Sequence, residues 1–294
     1  MVPKMSQSAT QIGPLVPRDT YPVMRVAVEY FLRAVDILPE VHHDMVSSVV
    51  FVTLWHGQVQ GRGRPPPGIR ELSRKMGLPY ETVRRHARAL VRGGQFIEEK
   101  GRLAIPPAMM RSRQAATMLR RSYVNAVRML RHLTRIEVAR FNVGPDRRLR
   151  SGRLTREQTA IGMAGIGLLL TGLRTLHELV GDLVKGLVYT AIWTANVKHV
   201  TNTPGAGDRG ILKDSQRQPV SVLAISNALG LPYETVRRHA NALQKEGYCA
   251  RVGRKGLIAP AVHHHQSRNV QTMVDGYHIV MAFLAELRRA GIKA

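Results

Sequence analysis

GLPYETVRRHARAL, running from Gly77 to Leu90, returns as GLPYETVRRHANAL from Gly230 to Leu243. Only Arg88 against Asn241 differs between the two copies. A phrase reused within one chain decides the fold first, because each copy is one supersecondary unit used twice.

Val83, His86, Ala87 and Leu90, matched by Val236, His239, Ala240 and Leu243, recur at helical spacing and form one apolar-side stripe. The opposite face carries Tyr80, Glu81, Thr82, Arg84, Arg85 and Arg88 in the first copy. In the second it carries Tyr233, Glu234, Thr235, Arg237, Arg238 and Asn241. Arginines, a carboxylate and a hydroxyl side by side suit a DNA major groove, where base edges offer donors and acceptors between phosphates. Pro79 and Pro232 fit a first helical position, where a missing N–H costs nothing. Before them, IRELSRKM (69–76) and VLAISNAL (222–229) read as short helices closed by Gly77 and Gly230. Helix, glycine turn and second helix make a helix-turn-helix, with Arg70 of the shorter helix an added DNA contact.

The segments after the two copies also repeat, though more loosely. FIEEKGRLAIP (96–106) and CARVGRKGLIAP (249–260) each read as strand, glycine-centred turn and strand, stopping at proline. A hairpin behind a helix-turn-helix sets its tip against the DNA backbone, so Lys100, Arg102, Arg254 and Lys255 are expected phosphate contacts.

With its turn glycine, the run Tyr-Glu-Thr-Val-Arg-Arg resembles the recognition helix of the cyclic-AMP receptor protein family. That family carries Ser-Arg-Glu-Thr-Val-x-Arg in the same register. The resemblance covers about thirty residues per copy and implies a winged helix-turn-helix. It implies that Glu81 and Glu234 accept from a cytosine amino group while Arg85 and Arg238 read guanine. Where the family places a base-reading arginine, this chain has Tyr80 and Tyr233. No glycine-rich β-roll for a cyclic nucleotide is visible, so no ligand is carried over and no cofactor is expected.

The repeat starts before the motif. Setting Trp193 on Trp55 places Leu173 on Val35, Leu176 on Leu38, Val184 on Val46, Val188 on Val50 and Ile192 on Leu54. Each half then reads as two helices, helix-turn-helix, wing and a long final helix, from about residue 111 to 140 and 266 to 289. The expected fold is mainly α with small β-hairpin wings, an internally duplicated winged helix-turn-helix with pseudo-two-fold symmetry. Its parts are an N-terminal arm (1–20), a first unit (21–141), a linker (142–154) and a second unit (155–294). Ala160 to Leu173 is the most apolar run and falls short of the roughly 20 residues of a membrane span. It reads as a buried helix whose glycines permit close helix–helix approach.

Charge agrees with a polyanionic partner. Of 294 residues, 44 are Lys or Arg and 20 Asp or Glu, a net charge of +24. Residues 1–150 hold 26 basic and 11 acidic side chains and the remainder 18 and 9, so both halves are basic. The single cysteine, Cys249, excludes an intrachain disulfide, fits a reducing compartment and reads as a packing residue opposite Phe96.

Gly205, Gly207 and Gly210 spell G-x-G-x-x-G but follow a helix rather than a strand, which fits a loop. His263, His264 and His265 are adjacent and cannot readily converge on one metal, and His42 with His43 fares no better. His86 and His239 read as packed histidines. The arginines from Arg111 to Arg140 fit either a solvated helix face or phosphate contact.

No nucleophile–base pair, carboxylate pair or phosphate loop points to an enzyme. The sequence therefore reads as a cytoplasmic, nucleoid-associated, prokaryotic or phage-type transcriptional regulator, a built-in pseudo-dimer on double-stranded DNA. Expected protein partners are a second copy, met through the flanking helices, and RNA polymerase or other transcription proteins; no membrane is involved. Two further readings share the architecture: a plasmid-type replication initiator binding origin repeats, and a nucleoid-architecture protein.

Two recognition helices this similar should select two closely related half-sites about one helical turn apart, on the order of 10 bp, as an imperfect inverted repeat. The half-sites should diverge at the base pair approached by Arg88 or Asn241. Selection from a random DNA pool checks this. A single uninterrupted motif, or two unrelated half-sites, contradicts the built-in dimer.

Overall fold

The computed structural model describes residues 16–38, 41–42, 44–61, 63–141, 153–201, 211–254, 256–262 and 267–292. Most of the expected arm and linker, Lys255, His43, the His263–His265 run and the G-x-G-x-x-G segment lie outside the described residues.

The chain is mainly helical with two small two-stranded sheets. In order, α1 (Thr20–Val35), α2 (Met45–Gln60), α3 (Ile69–Met76) and α4 (Tyr80–Arg92) lead to β1 (Ile97–Glu99) and β2 (Arg102–Ala104). A short α5 (Pro107–Met110) and the long α6 (Arg113–Arg135) come next. Then come α7 (Arg156–Val180), α8 (Leu183–Thr201), α9 (Val222–Leu229), α10 (Tyr233–Lys245), β3 (Ala250–Val252), β4 (Gly256–Ile258) and α11 (Ser267–Arg289).

Local chemistry explains the boundaries. Asp44 caps α2 by accepting from the Ser47 amide at 2.8 Å, and Ser112, Thr155 and Ser221 cap α6, α7 and α9 in the same way. At Thr155 the reciprocal bond from Gln158 completes a capping box. α6 is shorter than the sequence suggests at both ends. Pro106 and Pro107 start the separate α5, and Glu137 adopts a left-handed φ of 63° just past the helix. α2 is buried nearly all round, including Val49, Val50, Phe51, Val52, Leu54 and Trp55, which accounts for its lack of amphipathic pattern.

Two hydrophobic cores result. One joins α1 to α4, the first hairpin, α6 and α7, and takes in Val280, Phe283, Leu284 and Leu287 from α11. The other gathers Val188 and Ile192 of α8 with Ile225, Val236, Leu243, Cys249 and Leu257. Val28 and Leu32 of α1 pack on this second core, so α1 serves both.

α7 packs closely on α6 and α1 through its glycines. A Cβ on Gly165 would stand 2.7 Å from Ser122 Oγ, and one on Gly162 would stand 2.9 Å from the Leu119 carbonyl. The side chains facing α7 also bond its backbone: Tyr30 donates to the Gly165 carbonyl at 2.7 Å and Ser122 to that of Gly162 at 2.8 Å. On α2, His56 Nε2 lies 3.0 Å from the Met163 carbonyl, and burial pushes its pKa below the usual histidine value. Among the described residues α7 alone is long and apolar enough to cross a membrane, and half of its apolar window is buried in this body.

Helix propensity alone predicts that Gly165→Ala stabilises by about 1 kcal/mol. Packing predicts the opposite, because crowding a filled interface costs about 1–3 kcal/mol. We expect Gly165→Ala to lower the urea midpoint and Gly167→Ala, whose Cβ would meet only the His56 ring at 3.4 Å, to leave it unchanged or raise it.

Candidate nucleic-acid interface

Each repeated phrase forms a helix whose position is fixed from beneath. α3 ends at Gly77 and α9 at Gly230, with left-handed φ values of 68° and 61° that an L side chain seldom adopts. Ser73 Oγ donates to the Leu78 carbonyl at 2.7 Å, and Ser226 Oγ to that of Leu231 at the same distance, so one serine closes each turn. Pro79 and Pro232 stand one place earlier than expected, at the N-caps of α4 and α10 with extended backbones. Their carbonyls accept from the amides of Val83 and Val236 at 3.1 Å. Val83, Ala87 and Leu90 are buried, as are Val236, Ala240 and Leu243, which leaves the opposite face outward.

That face holds the expected residues in closely matched geometry. Glu81 accepts from Arg84 at 2.6 Å, and Glu234 from Arg237 at 2.6 Å. Such an exposed pair contributes little to stability. Its effect is to lay carboxylate and guanidinium side by side along one helical turn. Arg85, Arg88, Arg238 and Asn241 are exposed beyond it, while Thr82 and Thr235 are half-buried. Arg85 Nη2 reaches 3.4 Å from His86 Nε2, and Asn241 Oδ1 lies 3.4 Å from Gln244 Nε2.

The two faces differ at their edges. The Arg70 guanidinium lies 5.8 Å from the centre of the Tyr80 ring, a cation–π contact joining α3 to α4. The corresponding place in α9 holds Leu223, 58% exposed, beside an exposed Tyr233.

The hairpins also differ. Glu99 pairs with Arg102 across a two-residue turn, Lys100 and Gly101, both with positive φ, which suits the twist of paired strands. Lys100 is exposed at the tip, but Arg102 Nη1 donates to the Pro66 carbonyl at 2.7 Å and so also braces the segment before α3. In the second hairpin Val252 pairs with Gly256, giving a turn one residue longer with Arg254 exposed on it. A bridge from Gly68 to Arg102, and another from Val220 to Leu257, adds a third strand position to each sheet.

Sequence reasoning missed several supports. Gln58 Oε1 accepts from the Ile105 amide at 2.7 Å, and Asn196 Oδ1 from that of Ala259 at 2.8 Å, each tying a hairpin to the helix behind it. The register that sets Trp193 on Trp55 also sets Asn196 on Gln58, so paired carboxamides were the available signal. His86 Nδ1 stands 2.9 Å from both Asp44 Oδ2 and Ser47 Oγ, clasping α4 to the start of α2. His239 and Asp182 take the same places at 3.9 Å, and there burial lowers the histidine pKa.

Cys249 is buried, and burial pushes its thiol pKa up to about 12, away from reactive thiolate. Arg113, Arg128, Arg131, Arg135 and Arg140 lie on exposed surface. Among the described residues no group of three or more His, Cys, Asp or Glu side chains could hold a metal ion. Comparison with protein-family models, curated proteins and solved structures finds no match.

Arg85→Ala and Arg238→Ala should weaken a selected DNA site far more than random DNA, since an arginine reading guanine contributes about 1–3 kcal/mol of discrimination. Equal losses on both DNAs would assign these arginines to phosphate. Glu81→Ala should change base preference; uniformly tighter binding without such a change would remove Glu81 from base reading. Competition titrations measure both.

Proposed function

We propose that the chain is a sequence-specific double-stranded DNA-binding regulator of transcription, built from two winged helix-turn-helix units that arose by internal duplication and act as a pseudo-dimer. The observation that carries this reading is the paired outward face. On α4 and α10 alike, a Glu–Arg pair and a further exposed arginine stand on a helix backed by the same serine-closed turn, with a histidine facing an aspartate at 2.9 Å in the first unit and 3.9 Å in the second. A strongly basic surface raises affinity for any DNA. A carboxylate in the first turn of each basic face is stabilised by the helix dipole and by its arginine partner, and it supports base reading because it can accept from a donor such as the cytosine amino group.

In this reading Arg85 and Arg238 read guanine, and Arg84 and Arg237 hold Glu81 and Glu234 in line with cytosine. Arg88 and Asn241 distinguish the two half-sites. Lys100, Arg102, Arg254 and Lys255 hold phosphate, and Arg70 does so at the edge of the first unit. Tyr80 and Tyr233 occupy the entrance to each reading helix, with Thr82 and Thr235 beside the glutamates.

Each phosphate contact adds about 0.9 to the slope of log affinity against log salt. Arg254→Ala combined with Lys255→Ala should therefore lower that slope by about one to two units and keep sequence preference. An unchanged slope would place the second hairpin away from DNA. Genome-wide mapping of bound DNA tests the biological role: sites at promoters are expected, whereas sites clustered at an origin would mark a replication initiator.

A further inference from the structure

A cleft of about 150 Å³ lies where α1, α7, α8 and α11 meet. Its walls come from both cores: Leu176 and Val280 belong to the first, and Trp193 to the second. Phe31 packs on the first core and Met273 on the second, while Met24 closes the α1 side. No charged side chain lines it among the described residues, and its few polar groups include Thr190 and Asn269.

We propose that this cleft binds a neutral, single-ring aromatic or similarly compact apolar molecule. Size sets the upper limit, since drug-sized ligands occupy pockets of roughly 300–1,000 Å³, whereas an engineered apolar cavity of about 150 Å³ in another protein stays dry and takes up benzene. Chemistry sets the charge. A carboxylate or ammonium would lose its hydration with no opposite charge to meet, which excludes ionic ligands. The wall adapts to shape, because Met24 and Met273 are unbranched and their thioethers make favourable contacts with aromatic rings.

The cleft's position gives the ligand a second role, which rests on the DNA-binding reading above. α1 packs on both cores, and the ligand would touch α1 together with α7, α8 and α11. A ligand there would bias how the two halves sit against each other to the extent that it fits one arrangement better than another. A ligand and a DNA site that each favour one such arrangement change each other's affinity by the same factor.

Toluene is the probe, with benzoate as its charged counterpart. In full-length protein carrying ¹³C-methyl methionine, toluene should shift the Met24 and Met273 methyl resonances in a saturable way, and benzoate should not. Ala27→Leu, which fills the cleft from α1, should abolish the shifts; should that variant not fold, Leu179→Phe fills it from α7. Absence of any shift, equal shifts in a folded filled variant, or equal shifts with benzoate would overturn the site. Toluene should also change affinity for a selected DNA site by about fivefold or more in the native chain and not in the filled variant. Saturable methyl shifts with unchanged DNA affinity would overturn the coupling while leaving the site. Because the methyl shifts are read without DNA, failure of the chain to bind DNA would count against the proposed function and not against the cleft.

Discussion

The close approach of α7 to α1 and α6 is the contact on which the other elements depend. It requires glycine where Ser122 and Leu119 press on the α7 backbone, and it is secured by hydroxyls from Tyr30 and Ser122 donating to α7 carbonyls. An ordinary helix pair meets through interdigitated side chains at roughly 8–10 Å. Here the backbone of one helix is itself part of the contact surface. α7 then supports the first helix-turn-helix directly, since His56 of α2 rests on it and Gly77 in the α3–α4 turn abuts Arg174. A helix from the second half of the chain thus helps set the position of α4 in the first.

The candidate interface sets an exposed polar face on hydrogen-bonded supports beneath it. Its outward ion pairs are exposed, and their worth lies in orientation. Beneath them, Gln58 and Asn196 connect each hairpin to a buried helix behind it, and the His86–Asp44 contact connects α4 to the start of α2. Most of the ordering of this surface is therefore done by protein contacts before any ligand arrives, which reduces the entropy lost on binding. The two units are not equivalent. A cationic, ring-stacked edge on the first contrasts with an apolar one at Leu223 and Tyr233 on the second.

Local pattern made much of this legible in the sequence. α3 and α9 have the bounds read from their apolar spacing and terminal glycines, and both hairpins fall within the segments flanked by Phe96 or Cys249 and a closing proline. The outward residues of α4 and α10 follow from the 3.6-residue period once the buried stripe is known. Features that depend on distance along the chain were not legible. The pairing of His86 with Asp44 joins residues far apart in sequence, as does that of Tyr30 with Gly165. The glycines of α7 announced a close approach without naming its partner. The short α5 begins at two consecutive prolines, and its separation from α6 turned on the Ser112 cap, which starts a new helix directly after the Arg111 C-cap of α5.

Assembly of the body must wait for its last helix. Tyr30 of α1 meets Gly165 across a sequence separation of 135 residues, and Val280 to Leu287 of α11 enter the same core. During synthesis the apolar faces of α1 and α6 emerge well before α7 and α11 exist to cover them. Long-range closure of this kind slows folding and leaves apolar surface exposed meanwhile. A fragment ending before α7 would present to solvent the apolar faces of α1 and α6 that the finished protein keeps inside.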